Sequence, residues 1–260
     1  MFEQKYCNKL VFDSARVLMA LGVFFCHLFE HFNSLFGYFF VSVFFFLSGY
    51  GMEKTSSRFR SLKRLVPYLV TFFFAAVLYY FVYGDWFFPG AWFFVSYFSL
   101  MVVYRFFATR YFVFVFAFLL FELFFVFLQF PCSYWISPFG FLMGFCVART
   151  RSFFSWIECL VIFSIGLLIF YTHELLFLLF WVPLFIRLSL YFSSFFFFLC
   201  PFSVISYPFF VFHTFVLGFF GVTWTLGGSI SFAGSLFGFL LSLLLAFFLW
   251  RFVPFFSKKR

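Results

Sequence analysis

Charge is what this chain has least of. Only 10% of its residues are Asp, Glu, Lys or Arg, and the acids number eight among 260 residues. A water-soluble domain of this length covers its surface with far more charge, so an ordinary soluble fold is excluded. Paired cysteines are missing too. The six at 7, 26, 132, 146, 159 and 200 form no CxxC and no paired spacing, which argues against a disulfide framework and against a thiolate metal site. No small-residue cleavage site follows the first apolar run, and Asp13 and Arg16 interrupt that run, so it reads as a retained helix rather than a signal peptide. Nor does any stretch between apolar runs have the length of a soluble domain.

What is present is hydrocarbon. The chain is 66% hydrophobic, with a mean hydropathy of +1.12, the composition of an integral membrane protein. Phe supplies 63 residues in clusters without fixed spacing, which read as bulky apolar filler. Stacking on nucleic acid would need aromatics interleaved with Lys and Arg, and these lie in long apolar runs instead.

Breaks at charges, Pro and Gly divide the chain into apolar runs near 11 to 31, 34 to 52, 67 to 83, 92 to 107 and 111 to 130, then 136 to 148, 153 to 171, 175 to 195, 201 to 221 and 231 to 254. The expected fold is an all-α polytopic bundle of about ten transmembrane helices, one membrane-embedded domain over 1 to 260. Several runs fall short of the roughly 20 residues of a full crossing, the sixth above all.

The cations give a direction. With the N-terminus inside, alternate connections should collect Lys and Arg. Lys5 and Lys9 precede the first run; Lys54, Arg58, Arg60, Lys63 and Arg64 occupy the second connection; Arg105 and Arg110, then Arg149 and Arg151, then Arg187 and finally Lys258, Lys259 and Arg260 follow on the same side. The opposite connections hold Asp85, His173 and Glu174 and no cation. Both termini are therefore expected in the cytoplasm. The formal charge of +9 is a topology signal with anionic lipid headgroups as its partner, not a nucleic-acid footprint.

Against this background FDSARVLMALGVFFCH, residues 12 to 27, stands out, because Asp13, Arg16 and His27 sit in a run apolar enough to cross a bilayer. At about 100° per residue, Arg16 and His27 lie about 20° from the same meridian of a helix and roughly 16 Å apart along it. That spacing points to a cation near the cytoplasmic surface and a titratable imidazole further in, on one internal face. Snorkelling explains Arg16 equally well, and His27 also fits a bundle-packing hydrogen bond. Five cations between Lys54 and Arg64 exceed what orientation needs. Arg60 and Arg64, one turn apart, can hold phosphate oxygens at a cytoplasmic mouth, with Pro67 opening the next helix. A nucleotide or coenzyme A suits such a site and a neutral sugar does not.

Four stretches in order resemble the acyltransferase 3 family of polytopic membrane O-acyltransferases, which modify cell-surface carbohydrates. The first is similar to its opening D-x-x-R-x10-H helix (Asp13, Arg16, His27). VSVFFFLSGYGM is similar to its FFxLSG helix, with Ser48 and Gly49. RFRSLKRLVPY resembles its basic RR-x-x-R-[IL]-Y-P loop, with Arg60 and Arg64 at the outer arginines, Ser61 at the second and Val66 at the aromatic. VISYPFFVFH resembles its iSYxxYLxH helix, with Ser206, Tyr207 and His213 aligned, Phe210 where the family has Tyr, and Pro208 unusual there. GAWFFVSYF and PFGFLMGFCVAR, the latter with Phe141 and Gly144, are fainter echoes.

The resemblance implies transfer of an acyl group, commonly acetyl, from cytoplasmic acyl-CoA to a hydroxyl of an extracytoplasmic saccharide, in a multi-pass protein of a bacterial inner membrane. It implies His27 as the catalytic residue and Arg16, Arg60 and Arg64 as the donor-phosphate site. Asp13, Ser48, Gly49, Ser206, Tyr207 and His213 become supporting or acceptor-side residues. Acyl-CoA is then a donor substrate, with no tightly bound cofactor and no metal. Two other readings remain. HLFEH, residues 27 to 31, satisfies the H-x-x-E-H pattern of some zinc peptidases, though no third ligand follows from spacing. The acids Glu122 and Glu158 in apolar runs, with the buried imidazole, also fit a proton-coupled transporter or a non-catalytic homologue, although no inverted repeat joins the two halves.

Overall fold

The computed structural model describes residues 9–28, 35–54, 58–84, 91–107, 110–127, 136–170, 177–219 and 232–252. Among them there is no strand; the described residues form ten α-helices and one 3₁₀ segment. In order these are α1 Lys9–Leu28, α2 Leu35–Lys54, α3 Arg58–Tyr83, α4 Ala91–Phe107, α5 Tyr111–Phe127, α6 Ile136–Thr150, α7 Trp156–Phe170, α8 Phe177–Ser193, the 3₁₀ segment Phe197–Phe202, α9 Ser203–Phe219 and α10 Phe232–Phe252. Each expected apolar run is a helix. Apolar sequence that cannot offer its backbone to water closes its own hydrogen bonds, and the serines do likewise: Ser42, Ser164, Ser193 and Ser242 donate to carbonyls three or four residues back.

Helices and crossings are different quantities. α1 and α10 are long and apolar enough to cross a membrane, and α8 with the 3₁₀ segment and α9 form a further candidate bent by 102°. α4 to α9 hold 15 to 17 residues each, about 23 to 26 Å of helix against a hydrocarbon layer of about 30 Å. Their side chains nonetheless face outward as apolar groups: Phe112 is 83% exposed and Leu168 77%, a surface suited to lipid rather than water.

One boundary differs from expectation. The basic stretch before Pro67 is helix from Arg58 onward, so Pro67 lies inside α3 instead of opening it. Arg, Leu and Lys are good helix formers, and they carry the helix back through the charged residues.

The core is built around α2, whose residues from Phe39 to Leu47 are buried on every side apart from Phe40. Against it α6 packs backbone to backbone. A Cβ on Gly140 would stand 2.1 Å from the Ser42 carbonyl oxygen, one on Gly144 2.0 Å from that of Phe46, and one on Gly49 2.2 Å from that of Phe141. The G-x-x-x-G spacing of Gly140 and Gly144 thus makes the small-residue contact by which apolar helices associate without a hydrophobic driving force. Ser137 adds a hydrogen bond to the Tyr38 carbonyl, 3.0 Å. α1 packs directly on α2 and also against α8, the 3₁₀ segment and α9, and α9 in turn pairs with α10. Cys200 of the 3₁₀ segment reaches the Leu10 carbonyl at 3.1 Å and the Ser14 hydroxyl at 3.1 Å, tying this segment to the start of α1.

Candidate functional site

His27 sits in the last turn of α1 and His213 in the third turn of α9. The close packing of α1 on α9 brings the two imidazoles together, stacked with centroids 5.2 Å apart and planes 28° from parallel. His213 is fully buried. Phe24, Phe209 and Phe210 surround it, with ring centroids at 6.2, 6.4 and 5.5 Å. Among the described residues no hydrogen bond of full geometry reaches either of its nitrogens; the carbonyls of Phe209 and Phe210, on the preceding turn, are its polar neighbours. A fully buried imidazole without a firm partner costs stability that an apolar residue of similar size would not.

From His213 the aromatic contacts of α9 continue toward its N-terminal end, each three-residue step turning about 60° round the helix. Phe210 meets Phe93 of α4 at 5.0 Å and Phe44 of α2 at 5.5 Å. Tyr207 meets Tyr68 of α3 at 4.3 Å, and its hydroxyl donates to the Tyr68 carbonyl at 3.4 Å. Tyr97 of α4 joins them, 5.6 Å from Tyr68. Tyr207, Phe210 and His213, at successive three-residue steps, therefore form an aromatic wall about 9 Å long. Tyr68 stands one turn beyond Arg64. The wall links the basic start of α3 with the histidine pair. Tyr68 and Tyr97 carried no spacing signal in sequence, because their relation to Tyr207 exists only across three helices.

The other expected residues fall as follows. Arg16 forms an ion pair with Asp13 on its own helix, 2.7 Å from Nη1 to Oδ1. Arg60 and Arg64 lie in the first two turns of α3, and their side chains are outside the described residues. Ser48 donates to the Phe44 carbonyl at 2.9 Å, and Ser206 to that of Ser203 at 2.8 Å. Gly49 serves the contact with α6. Glu30 and His31 of HLFEH, with His173, lie outside the described residues; among those described, no three His, Cys, Asp or Glu side chains gather as a metal site. Glu122 lies on α5, its side chain likewise not described.

Glu158 has a structural task instead. It sits in the first turn of α7, where its carboxylate accepts from the Ser155 backbone N–H while the Ser155 hydroxyl accepts from the Glu158 N–H at 3.2 Å. S-W-I-E is a capping box, and Glu158 marks a helix start rather than the middle of a crossing. Arg187 of α8 fastens the same corner, its guanidinium 4.8 Å from the Trp156 ring centre and bonded to the Phe154 carbonyl.

A second polar cluster was not anticipated. Glu53, at the end of α2, receives Arg149 of α6 at 2.7 Å and the Tyr104 hydroxyl of α4 at 3.1 Å. Its only mark in sequence is to be an acid beside a run of cations.

In comparisons with protein-family models, with curated proteins and with solved structures, nothing matches this chain.

Proposed function

We propose that this chain is a multi-pass membrane O-acyltransferase, with about ten crossings and cytoplasmic termini, moving an acyl group, acetyl in the first instance, from cytoplasmic acyl-CoA to a hydroxyl of an extracytoplasmic saccharide or glycolipid. The observation that carries the reading is the stacking of the half-buried His27 on His213, itself fully buried in an aromatic cage where packing alone would favour phenylalanine. The alternating cations and the four ordered motifs support the direction and the donor.

In this mechanism His27 takes the proton of the acceptor hydroxyl as its oxygen attacks the thioester carbonyl. The new C–O ester bond forms, the C–S bond breaks, and the departing thiolate recovers the proton from His27. His213, stacked on His27, holds the ring in place. Arg16, Arg60 and Arg64 bind the donor's phosphates, and the wall of Tyr207 and Phe210 flanks its arm. Asp13 holds Arg16 in place by the ion pair.

The test is transfer of radiolabel from acetyl-CoA in membranes containing the wild type, His27→Ala or Arg16→Ala. Label incorporated by the wild type, lost in the histidine variant and weakened in the arginine variant at low donor concentration supports the proposal. Retained transfer in His27→Ala overturns it, as does proton-coupled solute uptake with no label incorporated.

A further inference from the structure

The connection from α8 to α9 differs from its neighbour at the same end of the bundle. Trp156 at the start of α7 meets Tyr191 near the end of α8 at 6.1 Å, so the α6–α7 and α8–α9 connections share that end. The first exposes Arg149, Arg151 and Ser152. The second carries no charge: between Arg187 and Arg251 the sequence holds no Asp, Glu, Lys or Arg. Arg187 itself lies inside α8, held by the Trp156 ring and the Phe154 carbonyl. What this connection exposes is aromatic. Phe195, Phe196, Phe197 and Phe198 are exposed in a row, Phe198 to 68%, and Phe202 follows.

The backbone of the turn is closed on itself. The N–H of Ser194 donates to the carbonyls of Leu190 and Tyr191, that of Phe195 to Phe192, that of Phe196 to Ser193, that of Leu199 to Phe196 and that of Ser203 to Cys200. Pro201 has no N–H to satisfy. The hydroxyls of Ser193 and Ser194 turn back on the Ser189 and Tyr191 carbonyls, at 2.6 Å each. Cys200 rests on Leu10 and Ser14 in the first turns of α1, beside Lys9. A loop in water can leave such groups to the solvent, whereas a turn in hydrocarbon must satisfy them internally.

We infer that this turn is immersed in the acyl chains of the cytoplasmic leaflet, with Phe195, Phe197, Phe198 and Phe202 in contact with lipid and not with water. Successive side chains of a 3₁₀ turn point about 120° apart, so consecutive exposed rings face more than one direction. A second copy packs against one face; fluid acyl chains fill them all. An uncharged turn offers nothing to an anionic headgroup, and the fit is to hydrocarbon. The inference rests on the cations that mark the cytoplasmic side and not on acyl transfer.

The full chain carrying Phe198→p-benzoylphenylalanine is reconstituted into vesicles of palmitoyl-oleoyl phosphatidylcholine and irradiated, and its peptides are weighed by mass spectrometry. Excited benzophenone inserts into the C–H bonds of acyl chains and returns unreacted from water. The expected result is the peptide bearing position 198 with the added mass of one phosphatidylcholine. The same replacement at Phe195 and at Phe202 should give the same adduct, so a variant that fails to fold leaves two that decide. At Ser152, in the charged connection, it should give several-fold less. Lipid adduct at 198 no greater than at 152 would place the turn in water. A cross-link to a second chain instead would make it a self-association face, and a cross-link within the chain would show it covered by protein; each of these outcomes overturns the assignment.

Discussion

The imidazole of His27 lies face to face with that of His213, 5.2 Å between centroids, and this contact joins the end of α1 to the middle of α9. In the proposed mechanism the pair is a base with a positioning partner.

If so, the two histidines act as a unit. His27→Ala should lower acyl transfer in membranes by about 100-fold or more, the scale of a lost general base. His213→Phe, which fills the same aromatic cage, should leave the unfolding temperature unchanged or raised while lowering the rate. The double variant should be no slower than His27→Ala alone. Full activity in His213→Phe would assign that residue to packing only.

The seam between α2 and α6 tolerates no side chain at Gly144. A Cβ there would meet the Phe46 carbonyl oxygen at 2.0 Å and the Tyr50 nitrogen at 2.8 Å, backbone atoms that cannot rotate away. Gly144→Leu should cost more than about 3 kcal/mol, seen as loss of folded protein in detergent. Gly51→Ala, with nothing within 4 Å of the added carbon, should unfold at the wild-type temperature.

Glu53 gathers Arg149 and Tyr104 at the cationic end of the bundle. Arg149 is 48% exposed and water screens the pair, so Glu53→Gln and Arg149→Met should each cost only about 0.5–1 kcal/mol. Their effects should not add, and both should shrink in high salt, which thermal unfolding of the two single variants and the double variant would measure.

The capping box of α7 makes a contrasting forecast. Ser155→Ala should lose about 1 kcal/mol through the lost cap. Glu158→Gln keeps an acceptor for the Ser155 N–H and should leave both stability and any proton movement across vesicles unchanged. A proton flux abolished by Glu158→Gln would return that residue to a transport pathway.

Helix positions were legible because each apolar run is closed by Gly, Pro or charge, and each became a helix within a few residues. Pro67 shows where that punctuation misleads: a proline ten residues into α3 follows a stretch of good helix formers, and the helix begins before it. Glu158 shows another limit. In sequence it is an acid within an apolar run, and only the position of the helix start turns it into a cap. The candidate site was half visible. Asp13 and Arg16 pair as neighbours three residues apart on one helix must, whereas Tyr68 and Tyr97 gain meaning only against Tyr207.

By itself the sequence determined an all-helical chain of hydrocarbon character with its cations on alternate connections, because local periodicity, backbone hydrogen bonding and charge are read one segment at a time. The tertiary structure alone decided which faces meet. Gly140 and Gly144 let α6 close on α2, α1 and α9 pack beside that seam, and so His27 meets His213. Helices that are apolar all round carry no stripe to specify a partner, so the choice rests on shape, on the few places where missing side chains let backbones touch.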